Sequence, residues 1–92
     1  MKNQMMRLIP MKKQMSSSNI YTVYSKRNCS FCVRAVDLIE HQGFKVQVKK
    51  IDEDSEHFQE MRNLAPSMRT MPVILKDNNL IGGYSDLVEH FS

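Results

Sequence analysis

Apolar side chains from residue 20 onward recur with two alternating periods, which predict strands and helices in turn. The β-branched and aromatic run 20–24 is typical of a buried strand. A helical spacing follows and ends at Gly43, a residue type that commonly terminates helices. The apolar stripe of this predicted helix consists of Phe31, Ala35, Leu38 and Ile39. Residues 44–48 then alternate between apolar and polar side chains, which predicts a second strand.

The second half of the chain predicts another helix and a hairpin. Residues 52–55 offer several side chains that can cap a helix, and Pro66 ends the helical pattern that follows. The apolar positions of this helix are Phe58, Met61 and Leu64. Two short apolar runs, 72–75 and 80–81, flank the turn-forming residues 77–79, and this arrangement predicts a β-hairpin.

A short last helix over 84–91, with Leu87 and Val88 facing inward, completes the order β-α-β-α-β-β-α. A strand–helix–strand unit forms a parallel pair of strands, and the hairpin adds two antiparallel strands. We therefore expect one α/β domain over residues 19–92, with a four-stranded mixed sheet and helices on both faces.

The net charge of +3 is misleading, because the positive excess lies in residues 1–18. That segment has four basic side chains, no acidic side chain and five of the eight methionines. We expect a basic, Met-rich and flexible extension, although an organelle transit peptide has a similar acid-free composition. A secretory signal is not expected, because polar residues interrupt every apolar run. Without a basic patch on the domain and without an apolar run of about 18 residues, neither nucleic acid nor a membrane is an expected partner.

Two cysteines, Cys29 and Cys32, stand between the predicted first strand and first helix. A helix N-terminus carries unpaired N–H groups and a partial positive charge, and Lys26 and Arg27 add two cations nearby. Such surroundings lower the pKa of a thiol from about 8.5 to roughly 3.5–7.5. The spacing of three puts Cys32 one turn along the same helix face. We therefore predict that Cys29 is the nucleophile and Cys32 the more buried, resolving thiol.

Two other roles remain open for these cysteines. They could be half of a zinc site, although His41, His57 and His90 lack the spacing of zinc ligands. They could also be inert core residues, although Cys29 lies in a polar segment of the chain. Two cysteines also cannot form the multi-bridge framework of a small secreted domain. Because the residues argue against each of these roles, redox chemistry is the favoured interpretation.

Three motifs follow one another along the chain: Tyr24-Ser-Lys-Arg-Asn-Cys-Ser-Phe-Cys32, Arg69-Thr-Met-Pro72 and Ile81-Gly-Gly-Tyr-Ser-Asp-Leu87. In this order and at this spacing they resemble the glutaredoxins, which belong to the thioredoxin-fold superfamily. The likeness extends over residues 20–91, which is nearly the whole predicted domain. It implies a thioredoxin-like fold and a glutathione-dependent thiol–disulfide oxidoreductase, with Cys29 and Cys32 as its catalytic dithiol.

The resemblance also adds roles to the second and third motifs. By position alone Pro72 opens a strand after a trans bond, whereas the resemblance implies a cis bond that sets the Met71 backbone beside the cysteines. By residue type alone Ser85 or Asp86 caps the last helix, whereas the resemblance implies that this segment holds the γ-glutamyl end of glutathione. It further implies that two of the basic residues pair with the glycyl carboxylate, namely Lys26 and Arg69. The residues to which the resemblance assigns glutathione binding are Lys26, Arg69, Thr70, Met71, Pro72, Gly83, Tyr84, Ser85 and Asp86.

The chain departs from the usual family pattern at three positions. Ser30 and Phe31 stand where dithiol relatives have Pro and Tyr, and Met71 stands where valine is common. Since Ser30 loosens the turn between the cysteines, the reduction potential of relatives does not transfer to this chain. Ser30 also leaves open an alternative function, an iron–sulfur cluster held between two subunits and glutathione. A relative that thioredoxin reductase reduces is a further alternative, but it would have no use for the glutathione segment 82–86.

The resemblance implies a set of partners. Glutathione would be the reductant and co-substrate, and no resident metal is expected. Client proteins would carry disulfides, with ribonucleotide reductase among them, and the protein would act as a monomer. A working pair of neighbouring cysteines fits a reducing compartment, so we expect a cytoplasmic location.

Overall fold

The computed structural model describes residues 19–92, and its elements follow the predicted order. The strands are β1 (Ile20–Ser25), β2 (Lys45–Lys50), β3 (Val73–Lys76) and β4 (Asn79–Gly82). The helices are α1 (Ser30–His41), α2 (Ser55–Leu64) and α3 (Tyr84–His90). The basic extension predicted for residues 1–18 lies outside the described residues. No helix within 19–92 is long and apolar enough to cross a bilayer.

The four strands form one mixed sheet in the order β2-β1-β3-β4. β1 is parallel to β2, and β3 is antiparallel to both β1 and β4. Tyr24, near the end of β1, pairs with Val73, the first residue of β3. Because these strands run in opposite directions, the chain that leaves β1 lies beside the chain that enters β3. The register thus brings Cys29 and the Met71–Pro72 segment to the same end of the sheet.

The core lies on both faces of the sheet, because successive side chains of a strand point to opposite faces. One cluster of buried side chains joins the sheet to α1 and α3, and it comprises Tyr21, Val23, Ala35, Ile39, Ile74 and Leu87. The other joins the sheet to α2 and the residue that follows it, and it comprises Tyr24, Met61, Ala65, Val73 and Leu75. The predicted three-layer arrangement is therefore confirmed.

The predicted apolar stripe of α1 is wrong at its first position. Phe31 is 50% exposed, while the buried positions of the helix are Cys32, Ala35 and Ile39. These three residues repeat at the helical spacing of three and four, and Phe31 lies one residue away from that stripe. The side chain of Phe31 is therefore directed away from the sheet.

The predicted inward side chains of the later helices are also partly wrong. Val88 is 42% exposed, because the inward face of the seven-residue helix α3 consists of Tyr84, Leu87 and the following Phe91. On α2, only Met61 is buried, while Phe58 and Leu64 remain exposed. Such a short helix meets the sheet through one central turn, and its flanking apolar positions stay in contact with solvent.

The hairpin has a shorter turn than predicted. Asp77 and Asn78 alone connect β3 to β4, with φ angles of 50° and 74°. Two consecutive positive φ angles are typical of the type I′ turn, whose twist matches that of the two strands. Asn79 is consequently the first residue of β4 and pairs with Lys76.

Candidate active site

The Cys29–Cys32 pair forms a disulfide at the first turn of α1, with the two Cα atoms 5.2 Å apart. Cys29 is the N-cap residue of the helix, and its Sγ accepts a hydrogen bond from the backbone N–H of Cys32 at 3.2 Å. Asn28 precedes it with a φ of 59°, a left-handed conformation that asparagine tolerates. The Cys32 N–H in the first turn of the helix therefore points toward the Cys29 sulfur, where it can stabilise a thiolate.

The two cysteines differ in their access to solvent. Cys32 is 3% exposed, whereas Cys29 is partly exposed. An incoming thiolate therefore reaches the sulfur of Cys29 first. Within residues 19–92, no three His, Cys, Asp or Glu side chains lie close enough together to hold a metal ion.

The two cations that precede the cysteines have different surroundings. The Arg27 backbone N–H donates a hydrogen bond to Oδ2 of Asp52 at 3.0 Å, and the Arg27 Nε lies 3.5 Å from the same oxygen. The hydrogen bond, aided by the guanidinium charge, lowers the pKa of Asp52 below its ordinary value. The Asp52 charge offsets that of Arg27. Lys26 forms no ion pair within 19–92, so it is the cation better able to favour a thiolate.

A groove of about 320 Å³ lies between the entry to β3 and the first turn of α3, and Phe31, which stands between the two cysteines in the chain, is part of its wall. The Met71–Pro72 peptide bond in its wall is cis, as the resemblance implies. Seven of the nine residues predicted to bind glutathione line this groove. They are Thr70, Met71, Pro72, Gly83, Tyr84, Ser85 and Asp86. The groove therefore unites the second and third sequence motifs.

Asp86 has a structural role at the end of this groove. Its Oδ2 accepts a hydrogen bond from the backbone N–H of Gly83 at 2.9 Å, which closes the first turn of α3. Gly82 has a φ of +126°, and a Cβ at this position would collide with the Asp86 carboxylate. The carboxylate thus caps the helix, as its residue type alone predicts. Its Oδ1 accepts no hydrogen bond from the described part of the chain, so this oxygen can receive an ammonium group.

The remaining two predicted glutathione residues lie elsewhere. Lys26 borders a second concavity, of about 410 Å³, which is lined by both cysteines. Arg69 is exposed in the loop before Met71 and borders neither the groove nor this concavity. The structure therefore does not unite Lys26 and Arg69 in one wall.

Phe31 and Met68 also line the groove, although the sequence did not assign them to it. The centroid of the Phe31 ring lies 5.5 Å from that of Tyr84, and the Arg34 guanidinium carbon lies 5.3 Å from the Phe31 centroid. The helical period contained a signal for Phe31, since its position falls one residue outside the buried stripe of α1. No comparable periodicity distinguishes Met68, which lies in a loop.

Comparisons with known proteins agree with this geometry. The family model described as glutaredoxin matches residues 21–81. A probable glutaredoxin of Synechocystis is 35% identical over 65 residues, which cover 71% of this chain and 74% of the relative. The holo form of glutaredoxin C1 from Populus tremula x tremuloides is similar in structure, with a TM-score of 0.68 and 31% identity over 82% of this chain and 69% of that protein. A buckwheat glutaredoxin–glutathione complex gives the same TM-score at 27% identity, over 82% of this chain and 70% of that protein.

The family match, the thioredoxin-like fold and the cysteine pair all point to one class of chemistry. The match covers more than half of the chain, and it includes both cysteines, the cis Met71–Pro72 bond and all of β3. With a disulfide-forming Cys29–Cys32 pair at the start of α1, this chain belongs to the glutaredoxin family of thiol–disulfide oxidoreductases.

Proposed function

We propose that this protein uses glutathione to reduce protein disulfides and glutathione mixed disulfides. The observation that carries the proposal is the asymmetric cysteine pair, with a partly exposed Cys29 at a helix N-terminus bonded to a buried Cys32. This asymmetry separates an attacking thiol from a resolving thiol. The buckwheat relative that binds glutathione, together with the groove beside the pair, supports glutathione as the reductant.

Reduction of a client disulfide takes two exchange steps. The Cys29 thiolate attacks one client sulfur, a new S–S bond joins Cys29 to the client, and the other client sulfur leaves as a thiolate. The Cys32 thiolate then attacks the Cys29 sulfur and releases the second client thiolate. Two electrons have passed to the client, and the two cysteines are left in the disulfide that the structure contains.

Two molecules of glutathione return the protein to its dithiol form. The first glutathione thiolate attacks the accessible sulfur of Cys29, and Cys32 leaves as a thiolate that takes up a proton. The second attacks the glutathione sulfur of this mixed disulfide, which frees the Cys29 thiolate and yields glutathione disulfide. With a glutathionylated client, the Cys29 thiolate attacks the glutathione sulfur and the client leaves as a thiolate. A second glutathione then frees Cys29 from this mixed disulfide in the way just described.

The groove supplies groups of the kinds that glutathione needs. Backbone N–H groups at the start of α3 can receive the γ-glutamyl carboxylate, and the Asp86 Oδ1 can receive the neighbouring ammonium. The Met71 backbone can align the extended cysteinyl part beside Cys29. We assign the glycyl carboxylate to Lys26 and Arg69, which are both exposed cations.

The proposal extends to partners and location. Ribonucleotide reductase is a fitting client, because it needs its disulfide reduced at each turnover. We place the reaction in a monomer and in the cytoplasm, where a reducing environment keeps a vicinal cysteine pair available.

The first experiment measures reduction of a low-mass glutathione mixed disulfide, with glutathione, glutathione reductase and NADPH as the coupled supply. We expect NADPH consumption that depends on both the protein and glutathione. A parallel reaction replaces glutathione and its reductase with thioredoxin reductase. Turnover only in the parallel reaction would overturn the glutathione assignment and would leave residues 82–86 as a helix cap alone.

A further inference from the structure

The Cys29–Cys32 disulfide has a second concave flank, of which the proposed glutathione site uses only Lys26. This concavity of about 410 Å³ is formed by the β1–α1 loop, one side of α1 and the end of β2. Its walls include both cysteines, Val33, Val36, Asp37, Val48 and Lys50. None of its lining residues also lines the groove at Met71–Pro72. The concavity and the groove are therefore two separate surfaces.

The floor of the concavity is apolar and open to solvent. Val33 is 62% exposed, because it follows Cys32 on α1 and lies outside the buried stripe of the helix. Val48 is 42% exposed, since β2 is an edge strand of the sheet. Both side chains border the same concavity as the cysteines. An apolar side chain placed there would remove these valines from water at a favourable free energy.

The rim of the concavity is predominantly basic. Lys26, Arg27 and Lys50 border it, against one acidic residue, Asp37. The Lys50 ammonium lies 4.0 Å from Glu53 and both side chains are at least half exposed, so this ion pair is weak. Asp37 lies one helical turn beyond Val33, whereas the three cations lie at the ends of β1 and β2. Acidic groups on a docked partner would therefore be attracted to the strand end of the concavity.

We propose that this concavity docks the segment of a client protein around its reacting cysteine, and that it favours an apolar side chain next to acidic side chains. The inference rests on the proposed thiol–disulfide exchange and names the class of client. The apolar side chain covers Val33 and Val48, while the acidic side chains face Lys50 at the basic rim. The client sulfur then lies beside Cys29, and the groove on the other flank stays open for glutathione.

The test uses three synthetic peptides, each closed by one intramolecular disulfide. The first carries Leu-Asp-Asp next to the disulfide, the second Leu-Lys-Lys and the third Ser-Asp-Asp. Protein reduced beforehand with dithiothreitol and freed of the reagent is mixed with each peptide, and the second-order rate constant of a single turnover is measured. This assay contains no glutathione, so it stays informative even if the glutathione assignment fails.

We expect the Leu-Asp-Asp peptide to react about threefold faster or more than either other peptide, with the preference over lysine declining as salt rises. Lys50→Glu should abolish or invert the preference for aspartate over lysine. Lys45→Glu is the matched control, because Lys45 is an exposed lysine at the opposite end of the same strand. It makes the same change in net charge and should leave the preference intact. Thermal unfolding of both variants verifies that they are folded.

Equal rate constants for the three peptides with the wild-type protein would overturn the docking proposal. An equal effect of Lys50→Glu and Lys45→Glu would overturn it as well, since a general charge effect would then explain the preference. Reduction of the low-mass glutathione mixed disulfide is measured in parallel. If the wild-type protein does not reduce this mixed disulfide but still prefers the Leu-Asp-Asp peptide, the glutathione assignment is contradicted and the docking proposal is not.

Discussion

The Phe31 ring of α1 packs against the Tyr84 ring of α3, with 5.5 Å between their centroids. This contact links the helix that carries the cysteines to the helix whose first turn closes the groove proposed for glutathione. The Arg34 guanidinium lies over the outer face of Phe31, which keeps one side of an exposed aromatic ring covered. The Phe31–Tyr84 pair therefore forms a wall of the groove proposed for glutathione, and it connects this groove to the helix that carries the reactive cysteines.

Replacement of Phe31 by alanine tests this wall. An aromatic contact contributes about 0.5–1.5 kcal/mol, so we expect Phe31→Ala to raise KM for a low-mass glutathione mixed disulfide roughly two- to tenfold. The value of kcat should change little, because the reacting sulfur atoms remain in place. Leu80→Ala serves as control, since it removes an exposed apolar side chain from β4 outside the groove. An unchanged KM in Phe31→Ala would show that the wall does not contribute to binding.

The two cysteines should separate cleanly in a mutational test. Cys29→Ser should abolish turnover of every disulfide substrate, because the one remaining cysteine, Cys32, is 3% exposed and cannot be reached by a substrate sulfur. Cys32→Ser should retain reduction of glutathione mixed disulfides, which needs only the attacking thiol, and should lose most reduction of protein disulfides. Both are checked in the coupled glutathione reductase assay. Full activity of Cys29→Ser would contradict the assigned order of attack.

We expect a side chain at position 82 to destabilise the protein more than a side chain at Gly43. Gly82→Ala places a methyl group against the Asp86 carboxylate at a φ of +126°. Gly43→Ala also has a positive φ, of +89°, but its methyl group would have no atom within 4 Å. We expect Gly43→Ala to lower the free energy of unfolding by about 1–2 kcal/mol and Gly82→Ala to lower it further. Urea unfolding compares the two variants, and equal losses would show that Asp86 moves aside without cost.

The Arg27–Asp52 contact should make stability depend on pH in the acidic range. The hydrogen bond from Arg27 lowers the Asp52 pKa in the folded protein below the value of about 3.9 for an unfolded chain. The stabilisation is therefore fully present above that unfolded value, and it is lost as the pH falls through the lowered pKa of the folded state. Asp52→Asn keeps an oxygen that can accept the hydrogen bond but removes the charge. Its Tm should lie below that of the wild type at pH 7.

The same Tm comparison near pH 2 provides the check on this prediction. As the pH falls toward this range, a growing fraction of the Asp52 carboxyl becomes protonated in the wild type, so the Tm difference between the two proteins should be smaller than at pH 7. Glu53→Gln is a matched control, because Glu53 contacts Lys50 only at 4.0 Å through exposed side chains. A Tm difference for Asp52→Asn that is independent of pH would show that the charge is not what stabilises the loop.

Local patterns of the chain were enough to predict the order of its elements and the position of its cysteines. Helical and strand periods depend on neighbouring residues, so the seven elements could be predicted with boundaries close to those observed. The placement of Cys29 at a helix N-terminus follows from the same local information. The groove residues at Met71–Pro72 and Gly83–Asp86 required the family resemblance, because residue types alone predicted a trans proline and an ordinary helix cap.

Tertiary structure alone decided how these elements meet. The pairing of Tyr24 with Val73, residues 49 positions apart in the chain, brings the cysteine loop beside the entry to β3. The contact of Phe31 with Tyr84 and the balance of Arg27 by Asp52 also depend on residues far apart in the chain, the second pair by 25 positions. A sequence period reveals which face of a helix is apolar, but sheet register and packing determine what that face meets. For this reason the sequence predicted the reactive pair, and only the fold showed its two flanks.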